Sequence, residues 1–267
     1  LIWQIDLQIR KIKKVKVQII ITNNFILMAK VKFEAEDFKK VLGQDILSEG
    51  DVVKNELKTL RADLEWKGTD LDVCAFMLDK DNEIATKDDI VYFNSKIRWK
   101  TVKPFSAPDF NPLDGKISLW DKEMEDYGGR VKVWKNETLP ASPDGSVIGS
   151  WDDMAEDSDT SCGETMHIMI EEVNTIKYKR IALAAVVADD RIKLGETFKD
   201  VSGAKVTITD VENGEELISY PLSEKFPNMD AVCFGELVYD ENNYQWNFRP
   251  MASGYKGGIL YLANNVF

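Results

Sequence analysis

Five carboxylates crowd into Trp151-Asp152-Asp153-Met154-Ala155-Glu156-Asp157-Ser158-Asp159, and no lysine or arginine stands between Lys135 and Lys177. That interval holds ten acids: Glu137, Asp144, Asp152, Asp153, Glu156, Asp157, Asp159, Glu164, Glu171 and Glu172. Like charges this close repel, and each loses hydration if the segment packs. Either the run is a solvated loop, or its oxygens wrap a hard cation. A second acid pair opens an apolar run, Asp70-Leu71-Asp72 before Val73-Cys74-Ala75-Phe76-Met77-Leu78. Residues two apart in an extended chain share a face, so both carboxylates point together. Beside a hydrophobic strand that is costly unless something positive lies between them. Asp89 precedes Ile-Val-Tyr-Phe and Asn94 follows it, adding oxygen donors at strand ends. Calcium suits such a set, because it takes about six to eight oxygens in flexible geometry, whereas magnesium asks for tighter octahedral order.

Other chemistries find less support. The stretch Asp79-Lys80-Asp81-Asn82-Glu83 is no EF-hand: Ile84 stands where that loop needs glycine, and Ile90 where it needs glutamate. It reads as a hairpin turn. His167 is the only histidine, and Cys74, Cys162 and Cys233 are scattered, so zinc-finger spacing is absent. His167 sits in Met-His-Ile-Met-Ile, a setting for packing. Gly254-Tyr255-Lys256-Gly257-Gly258 matches neither phosphate-loop pattern and reads as a tight strand turn. A net charge of −12 argues against a nucleic-acid partner. A glycoside hydrolase would need two carboxylates flanking a sugar. Acids and tryptophans are plentiful, but no acid lies in an obviously apolar setting that would raise its pKa.

The elements that must position these acids are mostly strands. Short apolar runs separated by turn residues predict a mainly β chain: a two-sheet β-sandwich with a few short helices and an inserted hairpin or loop. Asn213-Gly214 marks a hairpin between Lys-Val-Thr-Ile-Thr-Asp-Val and Glu-Leu-Ile-Ser-Tyr. Gly-Ile-Leu-Tyr-Leu near the C-terminus reads as a further strand. Helices are expected over 33–42, within 163–175 and at Glu-Thr-Phe-Lys-Asp-Val. Residues 96–141, rich in proline and carrying Trp99, Trp120 and Trp134, form an insertion packed on the 31–95 plus 142–267 body. Residues 1–30 are a leader with Arg10, Lys11, Lys13, Lys14 and Lys16 against Asp6 alone. Met28-Ala29-Lys30 looks like a natural start, which would make 1–27 translated upstream sequence. The leader is too broken to span a membrane, and its basic charge leaves peripheral membrane association open. An odd number of separated cysteines points to buried thiols in a reducing compartment, hence the cytoplasm.

Taken in order, Leu-Ser-Glu-Gly-Asp, Leu-Glu-Trp, Asp70-Leu-Asp-Val-Cys-Ala-Phe-Met-Leu, Asp89-Ile-Val-Tyr-Phe-Asn-Ser, Ser142-Pro-Asp-Gly-Ser-Val, the acidic run ending in Gly-Glu-Thr, and Phe-Gly-Glu-Leu-Val-Tyr with Gly-Tyr-Lys-Gly-Gly resemble the TerD family. The resemblance spans about 45–95 and 142–267. It implies a β-sandwich of tellurium-resistance and stress-response proteins, binding calcium through acidic loops and without established catalysis; a rim ordered by calcium would be the surface for a protein partner, which the sequence does not identify. It implies ligand roles for Asp70, Asp72, Asp89, Asn94, Asp152, Asp153, Asp157, Asp159 and Glu164. The chain departs from the pattern by the 96–141 insertion, by Met154-Ala155-Glu156 in place of a glycine-rich spacing, and by Ala188-Asp189-Asp190-Arg191 where relatives often carry histidine. A carbohydrate- or protein-binding module with structural calcium is the alternative reading.

Overall fold

A computed structural model describes residues 16–19, 29–32, 57–101, 115–119, 138–153 and 161–267. The chain divides into two compact units, Leu1–Asp51 and Val52–Phe267. In the first, β1 (Lys16–Ile19) pairs antiparallel with β2 (Ala29–Lys32). The helix expected over 33–42 lies outside the described residues, as do Asp157, Asp159, Trp120 and Trp134.

In the second unit the strands in chain order are β3 (Thr59–Gly68), β4 (Leu71–Leu78), β5 (Ile90–Val91), β6 (Ile97–Thr101), β7 (Gly115–Leu119), β8 (Leu139–Pro140), β9 (Val147–Gly149), β10 (Ser161–Met169), β11 (Arg180–Val187), β12 (Val201–Asp210), β13 (Glu215–Pro221), β14 (Ala231–Asp240) and β15 (Gln245–Tyr255). One antiparallel sheet has the order β13-β12-β3-β10-β9, the other β15-β14-β11-β4-β5. This is the expected β-sandwich. Period-two alternation builds it: on β3, Leu60, Ala62, Leu64 and Trp66 are buried while Arg61, Asp63 and Glu65 face outward. The hairpin at Asn213-Gly214 forms, with Gly214 at φ 67.

All eight residues of β4 are buried, because both of its faces are covered. The face carrying Cys74, Phe76 and Leu78 packs with Ala182, Ala184, Val186, Ala231, Cys233 and Leu262. Leu262 belongs to a helix, α3 (Gly258–Asn265), that replaces the strand expected from Gly-Ile-Leu-Tyr-Leu. Ile259, Leu262, Ala263 and Val266 recur at helical spacing, and small alanines on β11 leave room for the helix to approach. Asp230 Oδ1 accepts the N–H groups of Gly257 (2.7 Å) and Gly258 (2.9 Å), which fixes the start of α3. The glycine-rich segment before it is therefore a strand-to-helix turn. Two shorter helices, α1 (Asp189–Ile192) and α2 (Leu222–Lys225), complete the described α-helical structure. The 163–175 region is mainly β10 followed by a single 3₁₀ turn, and Phe198–Asp200 is another such turn.

Among the described residues of 96–141, β6 pairs with β7 and with β8. Ile97, Trp99 and Leu139 form a buried cluster with Ala141, Ile148 and Met169, so this small sheet is sealed against β9 and β10. Trp99 is core. No helix among the described residues is long and apolar enough to cross a membrane.

Candidate metal centre

The acid pair on β4 is placed by the strands around it. Asp72 pairs with Val186 and is 5% exposed. Asp70 lies just before the strand, and its carbonyl accepts the Ala188 N–H at 3.0 Å. That bond draws the start of α1, with Asp189 and Asp190, beside the Asp70-Leu71-Asp72 segment.

Glu164 arrives from the opposite sheet. On β10 the inward positions are Cys162, Glu164, Met166 and Ile168, so the strand's alternation drives a carboxylate into the sandwich, where it is 3% exposed. Strand β5 covers only Ala75 and Phe76 of β4. Beyond it, the Val73 N–H donates to Glu164 Oε2 at 2.8 Å.

The acidic loop folds back over β10 to complete the cluster. Ser150 N–H donates to the Thr165 carbonyl (2.7 Å), and Thr165 N–H donates to Ser150 Oγ (3.0 Å). Gly163 N–H donates to Asp153 Oδ2 (2.8 Å), while Asp153 N–H reaches Glu164 Oε1 (3.4 Å). Asp152, held between these anchors, presents its carboxylate to Asp72 and Glu164: one oxygen from each of the three lies within 4.8 Å of the others.

Electrostatics make this cluster expensive without a counter-ion. Burial, then the charges of Asp70, Asp152, Asp189 and Asp190, push the Asp72 carboxyl up to about 8. Burial, then Asp152 and Asp190, push Asp70 up to about 6, with Arg191 pulling the other way. Burial and the Asp72 charge drive Glu164 well above the usual carboxylate range. The Asp70 Oδ1 atom is buried without a hydrogen-bond partner. The sequence offered no acid in an obviously apolar setting; Asp72 and Glu164 occupy one.

The structure therefore brings Asp70, Asp72, Asp152, Asp153 and Glu164 to one end of the sandwich, with the Asp153 carboxylate bonded to the backbone of β10. Asn94 is exposed on the segment leading from β5 toward that end. Tyr92, two residues earlier, packs against the buried cluster that contains Cys74, two positions along β4 from Asp72. Asp89 goes elsewhere. It sits just before Ile90, which pairs with Phe76, toward the far end of β4 from Asp72. It accepts hydrogen bonds from Lys177 Nζ (2.6 Å), Tyr178 Oη (2.5 Å), and Thr86 N–H and Oγ1 (both 2.9 Å). Burial pushes the Asp89 carboxyl up, but these donors outweigh it and hold it below the usual range. That is a satisfied structural ion pair. The residues missed by sequence reasoning are Asp189 and Asp190. The signal was an acid pair closing β11, the strand antiparallel to the one that Asp70 and Asp72 open.

The donor set fits a hard divalent cation. It is all oxygen: His167 lies on the opposite face of β10 from Glu164, and burial drives the Cys74 thiol well above its ordinary value. Oxygens on opposite sides of a calcium ion stand at most about 5 Å apart, given bonds of about 2.3–2.6 Å, and the three carboxylates meet that limit. The buried Asp70 Oδ1, which has no hydrogen-bond partner, is an oxygen that an ion would satisfy.

Residues 134–266 match the TerD domain. The chain is 28% identical over 170 residues to general stress protein 16U of Bacillus subtilis (strain 168), covering 62% of this chain and 82% of that protein. It is 30% identical over 118 residues to tellurium resistance protein TerD of Serratia marcescens, covering 44% of this chain and 59% of that one. A crystal structure of a homologue of telluride resistance protein (TerD) from Streptomyces coelicolor A3(2) superposes with a TM-score of 0.52 at 17% identity, covering 79% of this chain and 97% of that chain. At that identity the likeness shows the fold.

Proposed function

Because this chain belongs to the TerD family of tellurium-resistance and stress proteins, we propose that it is a non-catalytic, calcium-binding stress-response protein of the cytoplasm, related to tellurite resistance, whose acidic rim is ordered by the ion. The observation that carries this reading is the Asp72–Asp152–Glu164 cluster: two of its three carboxylates are buried, and all three converge within 4.8 Å. Asp70, whose buried Oδ1 lacks a hydrogen-bond partner, and the backbone of the 150–153 loop would be the next oxygens recruited to the shell. Calcium would join β4, β10 and the acidic loop, and would turn their repulsion into a cross-link. The rim so ordered would be the surface offered to a protein partner. Three free, buried cysteines support a reducing compartment.

An ion that binds only the folded state stabilises it by about 2.7 kcal/mol at a hundredfold excess over Kd. Melting the full chain in calcium and in chelator tests the proposal: a clear rise in Tm with calcium is expected, and equal Tm values would overturn it.

The raised carboxyls also meet one requirement of a glycosidase, a protonated acid at neutral pH. That chemistry nonetheless also needs a second carboxyl flanking the sugar at about 5–5.5 Å or more. Glu164 is moreover engaged by backbone N–H groups on both oxygens. Turnover of chromogenic glycosides would favour that second reading.

A further inference from the structure

Arg98, the second residue of β6 in the insertion, is 2% exposed. Its guanidinium donates from Nη1 to the Phe93 carbonyl (2.9 Å), from Nε to Thr138 Oγ1 (3.1 Å) and from Nη2 to the Thr138 carbonyl (2.9 Å). The same Thr138 carbonyl accepts the Trp151 indole N–H at 3.2 Å. Phe93 immediately precedes Asn94, and Trp151 immediately precedes Asp152. One rigid fork is thus bonded to the backbone beside Asn94 and, through a shared carbonyl, to the loop that presents Asp152.

Burying a guanidinium costs several kcal/mol before its hydrogen bonds offset it. An apolar side chain would seal the insertion as well as its neighbours Ile97 and Trp99 do. What arginine adds is planar geometry, with several donors at fixed angles that lysine lacks. Both segments it joins border the metal centre: β5 runs antiparallel to β4, so 92–94 heads toward Asp72 with Tyr92 packed on the cluster that contains Cys74, and Asp152 belongs to the carboxylate cluster. Trp151 is 40% exposed, so the indole contributes less as core than as a tether.

We propose that Arg98 is a positioning residue for the metal centre, through which β6 and Thr138 hold the 92–94 and 151–153 segments at the separation an ion requires. The inference rests on the calcium reading for its consequence, and on the bonds around Thr138 for its mechanism. Metal affinity falls about 10- to 100-fold when residues orienting the ligands are lost.

Two readouts on the full chain keep the two failures apart. Amide exchange measured in chelator follows the brace itself, and competition with a chromophoric chelator follows calcium affinity. In R98Q, exchange is expected to accelerate at 92–95 and 150–153 but not along 161–169, and calcium affinity to fall about tenfold. R98K should recover part of both effects. W151F, which removes only the indole donor, should loosen 150–153 alone, and it carries the test if R98Q folds poorly. Unchanged exchange in both segments, or exchange that accelerates evenly through the sandwich, overturns the proposal. Wild-type protein that takes up no calcium defeats the calcium reading, and the exchange pattern then decides the brace by itself.

Discussion

Glu164 Oε2 accepts the Val73 N–H at 2.8 Å, so a carboxylate rooted in one sheet grips the backbone of the other beside the cluster. The same side chain is both a strut between sheets and a candidate ligand. The two roles separate on substitution. Glu164→Gln keeps an oxygen that can accept from Val73, gives up only the longer bond from the Asp153 N–H, and removes an acid from the cluster. Its Tm in chelator should equal or exceed that of the wild type, while the rise on adding calcium disappears. Glu164→Leu should also lose about 1–3 kcal/mol in chelator, since the Val73 N–H is left buried and unpaired. Paired melts with and without calcium check both.

Stability of the ion-free protein should depend on pH in the sense set by raised carboxyls. Burial and neighbouring charges push Asp70 up to about 6 and Asp72 up to about 8 in the folded chain, against 3.8 without the fold. The folded state then holds more protons, so this contribution is full below about pH 4 and is lost as pH rises through 6 and 8. In chelator, denaturant midpoints should therefore fall across that window, and less so in Asp72→Asn. Calcium binding should run the other way, tightening by up to about tenfold per pH unit where one proton leaves for each ion bound.

Asp89 should be separable from the metal. Asp89→Asn or Tyr178→Phe breaks a buried, hydrogen-bonded group and should cost about 1–3 kcal/mol of stability. Calcium affinity should stay at the wild-type value. Because its carboxyl is held low, the Asp89 contribution is present above the unfolded pKa and is lost only as pH falls below it. Urea melts alongside calcium titrations distinguish this residue from Asp72.

The start of α3 depends on a conformation that suits glycine. Gly257 has φ 111, and an added Cβ would lie 2.8 Å from Tyr261 Cβ. Gly257→Ala should destabilise by about 1–3 kcal/mol. The loss of α3 packing should expose Cys74 and Cys233, whose faster labelling by a thiol reagent is the readout.

The strands were legible because alternation and turn residues dominate the chain, as on β3 and at Asn213-Gly214. The helical α3 was not, because a short apolar run is shared by strands and helices; only the wider spacing of Ile259, Leu262, Ala263 and Val266 separates them. Ser161–Met169 was mistaken in part for helix although Cys162, Glu164, Met166 and Ile168 alternate, and that alternation alone places Glu164 inside. At the site, Asp70 and Asp72 stand out by local spacing and Asp152 by charge density, whereas only the resemblance to the TerD family singles out Glu164. Asp89 looked equivalent to them in sequence. Its neighbours Lys177 and Tyr178 are far along the chain, so nothing local announced an ion pair. Asp189 and Asp190 were passed over for the same reason: their meaning comes from the antiparallel pairing of β11 with β4. Arg98 carried no signal at all, because its function lies in three bonds that only the fold assembles.

The central claim is that Asp72, Asp152 and Glu164 share one calcium ion. Crystals of the full chain grown with calcium test it most directly. The account predicts a peak among these three carboxylates with oxygen distances of about 2.3–2.6 Å, absent from Glu164→Gln crystals grown in the same way. Clear density for the three side chains with only water between them, at saturating calcium, would contradict it.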